Sequence, residues 1–248
     1  MYYLSICAIA RNESLYLEEW IKYHTGIGVE HFYIYNNEST DTTSMIAKSF
    51  KNVTLKNFPG QRSQAPAYLN CLNVFKNESR YIAFIDIDEF LVPKETLSLP
   101  AILKNYEEYP ALCAHWRFFG SNGELNYTNK PVVERFTKCE KAIDRHVKSI
   151  VDPMRTSWIV TVHKFIHPTP AVDEHFNKIA DTDSRPEPAT ADIIQVNHYV
   201  TKSYGECAIR RRHPRADTGE VRELETFFHG HDKNEVEDLR ALEIWNSL

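Results

Sequence analysis

The chain has 248 residues, 42% hydrophobic, 25% charged and 12% aromatic, with a formal net charge of −5. Only 8 glycines and 12 prolines exclude a low-complexity chain, and the acidic balance gives no basic footprint for nucleic acid. Five scattered cysteines (Cys7, Cys71, Cys113, Cys139, Cys207) never pair as C-x-x-C, which leaves neither a zinc site nor a disulfide framework and predicts buried thiols in a reducing compartment.

No apolar run approaches the about 18 residues of a membrane span. The opening MYYLSICAIA lacks a basic leader and a cleavage site, so residues 3–10 are predicted as a first strand buried on both faces. It ends at the polar cluster Arg11, Asn12, Glu13. A helix follows, with Ser14 as its N-cap and Leu17, Trp20, Ile21 and His24 on one face, ended by Gly26 and Gly28. Residues 31–35 form a second strand, followed by the loop NNESTD. Residues 42–50 are a short helix, 53–58 a third strand, and 66–75 a helix with Tyr68, Leu69, Leu72 and Phe75 inward. Residues 81–93, YIAFIDIDEFLVP, are the fourth strand and carry Asp86, Asp88 and Glu89.

Strand and helix alternating at this spacing predict βαβ units and a mostly parallel α/β sheet. Ligands then bind outside the carboxyl ends of the strands. Three strand ends carry polar clusters, at 11–13, 36–41 and 86–89, and a parallel sheet puts them on one rim. After residue 100 the alternation weakens: 102–109 is helical, 112–120, 148–153, 157–165 and 192–200 are strands, 182–190 a loop, and 204–212 and 235–246 helices. The last carries Val236, Leu239, Leu242 and Trp245 at helical spacing. One domain is expected, with residues 1–95 and 96–248 as its two halves, which the resemblance given below makes the nucleotide-sugar half and the acceptor half.

Asp86, Ile87, Asp88 and Glu89 crowd three carboxylates into four residues, which repel one another unless something positive compensates. On an extended segment Asp86 and Asp88 project to one side, as oxygen ligands of a hard divalent cation would. The alternative is an N-cap cluster leading into a turn before Pro93. Neither a P-loop nor a G-x-G-x-x-G is present, which leaves a metal–diphosphate site without a glycine loop.

That combination resembles the GT-A nucleotide-sugar glycosyltransferases and their D-x-D motif. YNNESTDTT resembles the strand-two loop of family 2-type transferases. CAIARNESLYLEEWIKYHTGIGVEHFYIYNN is similar to the opening of glycosyltransferase family 92, and FIDIDEFLVP to its D-x-D-E-F segment. WRFFGSNG, ERFT, VKSIV, NHYVTKS and HDKNEVED resemble later blocks of that family, in order.

The resemblance implies a GT-A fold and a Mn2+ or Mg2+ ion on Asp86 and Asp88, with Asp88 the preferred ligand and His198 completing the site. Arg11, Asn12, Glu13, Asn37, Asp41, Gln64, Asp86, Ile87, Lys148, Lys202 and Arg212 would line the nucleotide-sugar pocket, with Arg210 another charge for the departing diphosphate. Helix capping is the other reading of Asn12 and Asp41. Asp232, in the HDKNE block, is the preferred general base over Glu124, Asp217 and His231. Trp116, Phe118 and Phe119 stack on a sugar or pack the core. IRRRHPR offers a phosphate or peripheral membrane contact or a solvated face. Pro214 stands where relatives carry glycine, and the abrupt end at Leu248 suggests a natural chain that continues.

The expected function is metal-dependent, inverting transfer of a hexose, galactose by family habit, from a UDP-sugar to a saccharide or glycolipid. A bacterial surface-glycan pathway (lipopolysaccharide or capsule) at the cytoplasmic face of the membrane fits the chain. The alternatives are a nucleotidyltransferase or phosphohydrolase using the same acidic site, and a binding module without turnover.

Overall fold

The computed structural model describes residues 1–181, 183–213 and 217–248. Pro214, and Thr182 at the head of the expected 182–190 loop, lie outside the described residues. The first half runs β1 (Tyr2–Ala10), α1 (Leu17–Gly26), β2 (His31–Asn36), α2 (Thr43–Ser49), β3 (Val53–Asn57), α3 (Gln64–Phe75), β4 (Ser79–Phe84) and β5 (Glu89–Pro93). Next come α4 (Leu99–Leu103), β6 (Ala111–Phe118), α5 (Val132–Arg135), β7 (Lys138–Cys139), β8 (Asp144–Val151), β9 (Trp158–Thr161) and β10 (Lys164–Ile166). The rest is β11 (Ala171–Val172), β12 (Lys178–Ile179), β13 (Ile194–His198), α6 (Tyr204–Arg211), α7 (Leu224–His231), β14 (Val236–Glu237) and α8 (Arg240–Asn246).

Among the described residues the central sheet has ten strands, ordered β12-β11-β6-β8-β4-β1-β2-β3, with β13 joined to both β6 and β5. β3, β2, β1 and β4 are mutually parallel, and β8 is antiparallel to β4 and β6. Side chains alternate across the sheet as a period of two requires. Leu4, Ile6, Ala8 and Ala10 join one apolar cluster with Phe32 and Ile34, under Leu17, Trp20 and Ile21 of α1. Cys7 and Ile9 join the opposite cluster with Tyr33 and Tyr35, under Tyr68, Cys71, Leu72 and Phe75 of α3. Both faces are covered, which is why residues 3–10 carry no polar alternation. All five cysteines are free and buried.

The structure corrects several expectations. Ser14 does not cap α1: the helix begins at Leu17, and the Ser14 N–H donates to Asp41 Oδ2 at 3.1 Å. The fourth strand is two strands joined by a turn, because the Glu89 N–H returns to the Asp86 carbonyl (3.1 Å) and Glu89 Oε2 accepts the Asp86 N–H (2.9 Å). β5 then leaves β4 and pairs antiparallel with β13, Glu89 facing His198. The 102–109 helix is α4, capped by Ser98 and ending in a 3-10 turn, Lys104–Tyr106. Residues 157–165 fold as the hairpin β9–β10. In 235–246 the first turn of the expected helix is β14, paired through Val236 to Cys139 of β7, so the helix starts at Arg240 and buries Ala241 and Ile244. Helix α7 was not expected.

His24 is buried in α1, its Nδ1 2.8 Å from the Trp20 carbonyl and its Nε2 accepting the Leu91 N–H at 3.2 Å. Nδ1 therefore carries the proton in a neutral ring. Burial lowers its pKa to about 3. Between there and the ordinary value of about 6.5 the unfolded chain binds the extra proton, so stability falls as pH falls through that window, by up to about 1.4 kcal/mol per pH unit from this group. In urea titrations from pH 7 to pH 4, His24→Gln should show a shallower loss than the wild type. Equal slopes would refute this account.

Candidate active site

Because β1, β2 and β4 are parallel, the loops after them share one rim. The first two are bonded together. Asn12, at φ 56°, occupies the left-handed region that asparagine tolerates. Its Oδ1 accepts the Thr40 N–H at 2.8 Å, and its own N–H donates to Ser39 Oγ at 3.1 Å. The Glu13 N–H donates to Thr43 Oγ1 at 2.8 Å, and Asp41 Oδ1 accepts the Thr43 N–H at 3.0 Å. Asn37 donates to the carbonyls of Phe58 and Gly60, both at 2.9 Å. These polar side chains fix the rim's shape.

The turn at 86–89 sends its carboxylates in different directions. Asp86 accepts from Gln64 Nε2 at 2.5 Å, Tyr68 Oη at 3.1 Å and Lys148 Nζ at 3.0 Å. Glu89, fully buried, lies 3.2 Å from the same ammonium, which is itself fully buried. Burial pushes the Glu89 carboxyl well above its ordinary range, helped by Asp86 and Asp88 and opposed by Lys148. Burial also works against the Lys148 charge, but the Asp86 and Glu89 carboxylates outweigh it and raise its pKa. Lys148 therefore acts on the acidic turn from beneath and is enclosed there, away from the open rim where a nucleotide contact was expected.

Asp88, buried, faces the C-terminal third of the chain. Its Oδ2 is 3.2 Å from Arg210 and 3.7 Å from His198 Nε2. Burial raises its pKa, but Arg210 and then His198 overcome this and hold the carboxyl ionised, well below the ordinary value. Arg210 also reaches Glu13 at 3.3 Å, so it ties the loop after β1 to the loop after β4. Lys202, at φ 51°, is buried with Nζ 4.4 Å from the Tyr16 ring centroid and 3.4 Å from the Tyr199 carbonyl. Burial lowers its pKa, against the pull of Asp88. The protein's own cations, Lys148, Arg210 and Lys202, thus compensate the acidic triplet.

Beside Asp88 stands an aromatic wall. The Trp116 ring is 4.3 Å from His198 and 5.0 Å from His146 and from His163. Phe118 lies between His198 (5.3 Å) and His231 (5.5 Å). Phe119, by contrast, is buried against Tyr199. Three buried polar atoms here lack a hydrogen-bond partner among the described residues: Glu89 Oε1, Trp116 Nε1 and His198 Nδ1. Orphaned groups of this kind cost about 1–3 kcal/mol each unless something satisfies them.

The donor set suits a divalent cation at Asp88 and His198. The carboxylate is ionised, and burial lowers the His198 pKa and keeps its ring neutral with a lone pair available. Asp86 is engaged by its three donors instead. The group whose ligand atoms converge to within 4.8 Å among the described residues is Glu174, His175 and Asp192, away from this rim. There Glu174 accepts the N–H groups of Asp192, Ile193 and Ile194, as a loop anchor.

Other expected residues lie outside the cluster. Arg11 and Arg212 are exposed, and the Ile87 side chain is in the core. The basic run divides: Arg210 turns inward, Arg211 lies 4.0 Å from the Phe227 ring centroid, and Arg212 faces solvent. Asp232 Oδ1 accepts from the Ser121 N–H (2.6 Å) and Asn234 Nδ2 (2.9 Å), closing a turn. Glu124 pairs with Arg135 at 3.0 Å, Asp217 accepts the Thr218 N–H at 2.8 Å, and His231 Nδ1 is 2.9 Å from the Phe227 carbonyl. Sequence reasoning missed Tyr68, His146 and His163. Tyr68 stands four residues after Gln64 on α3, a spacing that puts both on one helical face, but it was read as core alone.

No helix among the described residues is long and apolar enough to cross a membrane. A glycosyltransferase family 92 protein of Oryza sativa subsp. japonica is 33% identical over 171 residues, covering 65% of this chain and 29% of that protein. One from Ricinus communis is 29% identical over 172 residues, covering 65% of this chain and 31% of that protein. The chain thus spans about 30% of the length of these relatives. Glucosyl-3-phosphoglycerate synthase from Mycobacterium tuberculosis overlaps 47% of this chain and 44% of its own, at a TM-score of 0.32 and 20% identity. The overlap is too slight to carry an argument. The model of glycosyltransferase family 92 matches residues 2–229, and the chain belongs to that family.

Proposed function

We propose that this chain is the catalytic part of an inverting glycosyltransferase of the GT-A type that takes a hexose from a UDP-sugar, galactose being the first donor to try. The observation that carries the reading is the cluster on one rim: an ionised Asp88 beside a neutral His198, with Arg210 and Lys202 behind them and orphaned polar atoms at Glu89, Trp116 and His198. Asp88 and His198 would hold the Mn2+ or Mg2+ ion. When bound, the ion supplies positive charge for the departing diphosphate. Arg210 and Lys202 add fixed charge to the same side, worth most where water is excluded. Glu13, Asn12, Asn37 and Asp41 shape the loops on which the nucleoside would rest, and Gln64 fixes Asp86 at the floor.

Phe118, half-buried beside the enclosed Trp116, offers the apolar face that a pyranose stacks on, on the acceptor side formed by β6, β8 and β13. The acceptor is a saccharide or glycolipid. The plant relatives add nothing to the bacterial surface-glycan setting, the cytoplasmic location or the peripheral membrane contact, which rest on the sequence alone.

Calorimetry with UDP tests the reading. With manganese the wild type should bind UDP at micromolar concentrations, and chelation should weaken binding at least about tenfold, or about 1.4 kcal/mol. A UDP-hexose should then release UDP and form a glycoside. Turnover of a nucleoside triphosphate instead would establish the nucleotidyltransferase or phosphohydrolase reading. No UDP binding with or without metal would refute the proposal.

A further inference from the structure

We propose that His146, oriented by Asp144, is the general base that takes the proton from the acceptor hydroxyl. This rests on the glycosyl-transfer reading above and names a residue for its proton transfer. The pairing of β6 with β8 slips between His115 and Trp116: His115 faces Val147, but Trp116 faces Asp144. Arg145 and His146 are therefore extra residues on β8 with no partner across the ladder. Bulges of this kind re-aim side chains and gather near active sites.

The slip brings the Asp144 and His146 side chains together. His146 Nδ1 lies 2.7 Å from Asp144 Oδ1, which also accepts the His146 N–H at 2.8 Å. Asp144 is held below its ordinary pKa because these contacts and the nearby Arg185 outweigh its burial. With Nδ1–H donating to an ionised carboxylate, Nε2 is the bare, basic nitrogen. It makes no hydrogen bond among the described residues, and the side chain is 29% exposed. The imidazole stacks on Trp116 at 5.0 Å, and the same indole is 4.3 Å from His198, so one ring separates the base from the cation site. His146 is also two residues from Lys148, on the strand that supports the acidic turn.

Asp232 is engaged in its turn and Glu124 with Arg135, while His231 has a carbonyl, that of Phe227, where His146 has a carboxylate, and burial lowers its pKa. His163 is driven well below its ordinary pKa by burial and then by Lys148, which removes its basicity. Asp144 of β8 faces His146 directly, the His163 ring of the β9–β10 turn lies 5.9 Å away, and Arg185 and Glu140 interact in turn with Asp144.

In the step, the acceptor oxygen bonds to C1 of the sugar as the C1–O bond to the β-phosphate breaks. The bonding pair leaves on UDP, and the hydroxyl proton passes to His146 Nε2. Asp144 stabilises the imidazolium, which then returns the proton to water.

The test compares the full-length wild type with His146→Gln and Asp144→Asn. Calorimetry with UDP and manganese should give all three the same affinity within about twofold. UDP release from UDP-galactose, with a panel of mono- and disaccharides as acceptors, should fall about 10²–10⁴-fold in kcat for His146→Gln. The acid limb of the wild-type pH profile, where activity rises as an imidazole loses its proton, should vanish with it. Asp144→Asn removes the carboxylate that favours the imidazolium, so its acid limb should move to lower pH. A His146→Gln kcat within threefold of wild type, or an unchanged acid limb in both variants, overturns the assignment. If the wild type binds UDP but turns over no donor, nitrogen NMR of the His146 ring decides: an Nδ1–H ring with bare Nε2 supports the role, an Nε2–H ring overturns it. Absence of UDP binding in every protein defeats the transferase reading itself, and this role with it.

Discussion

Replacing Lys148 with methionine should destabilise the protein by about 3–5 kcal/mol, the range found when one partner of a buried ion pair is removed. Methionine matches the length of the stem, so the lost packing is small. What remains is Asp86 without its cation and Glu89 enclosed with an unpaired Oε1. Urea denaturation should show the midpoint falling at a nearly constant slope, the mark of lost stability without a changed unfolded state. Adding Asp86→Asn and Glu89→Gln to the same chain should recover much of the loss, because the uncompensated charge goes with them. A single variant within about 1 kcal/mol of wild type would show that the turn does not depend on this ammonium.

Asp88→Asn should act on function before stability. Asn keeps the shape but gives up the negative charge that Arg210 and His198 face at 3.2 and 3.7 Å. Manganese-supported UDP binding should weaken by about 100-fold, or about 2.7 kcal/mol, down to the chelator-treated level. Melting temperature should change far less than for the Lys148 variant, since Arg210 retains Glu13 as a partner. If UDP binding keeps its full manganese dependence in this variant, the cation site lies elsewhere.

The first half was legible in the sequence because its strands are apolar on both faces and its helices on one. Tyr33 and Ile34 point into different cores, yet both are apolar, so the run reads as a strand without its orientation being known. The acidic triplet announced itself by its cost. Its geometry did not, because the break between β4 and β5 has no Gly, Pro or Asn to mark it and is made by Asp86 bonding to Glu89. Nor could local pattern supply the compensating charges: Lys148 stands 62 positions from Asp86, and its ammonium is placed by the pairing of β8 with β4. His146 was hidden for a related reason. Only the slipped register of β6 on β8 turns it outward, and a register shift leaves no mark in composition. Residues 235–239 were misread as helix because pairing of Val236 and Glu237 with β7 overrode their local periodicity.

Arg210 bridging Glu13 and Asp88 has a consequence for how the protein is made. A ribosome adding about 5–20 residues per second delivers the acidic turn on the order of ten seconds before that guanidinium emerges. Through that interval the newborn first half carries an acidic turn still awaiting its later cations. Its strands can pair early, but the pocket closes only when the far end of the chain threads back to the beginning. Transplanting the leading half alone would carry over the negative charges and leave their counterweights behind.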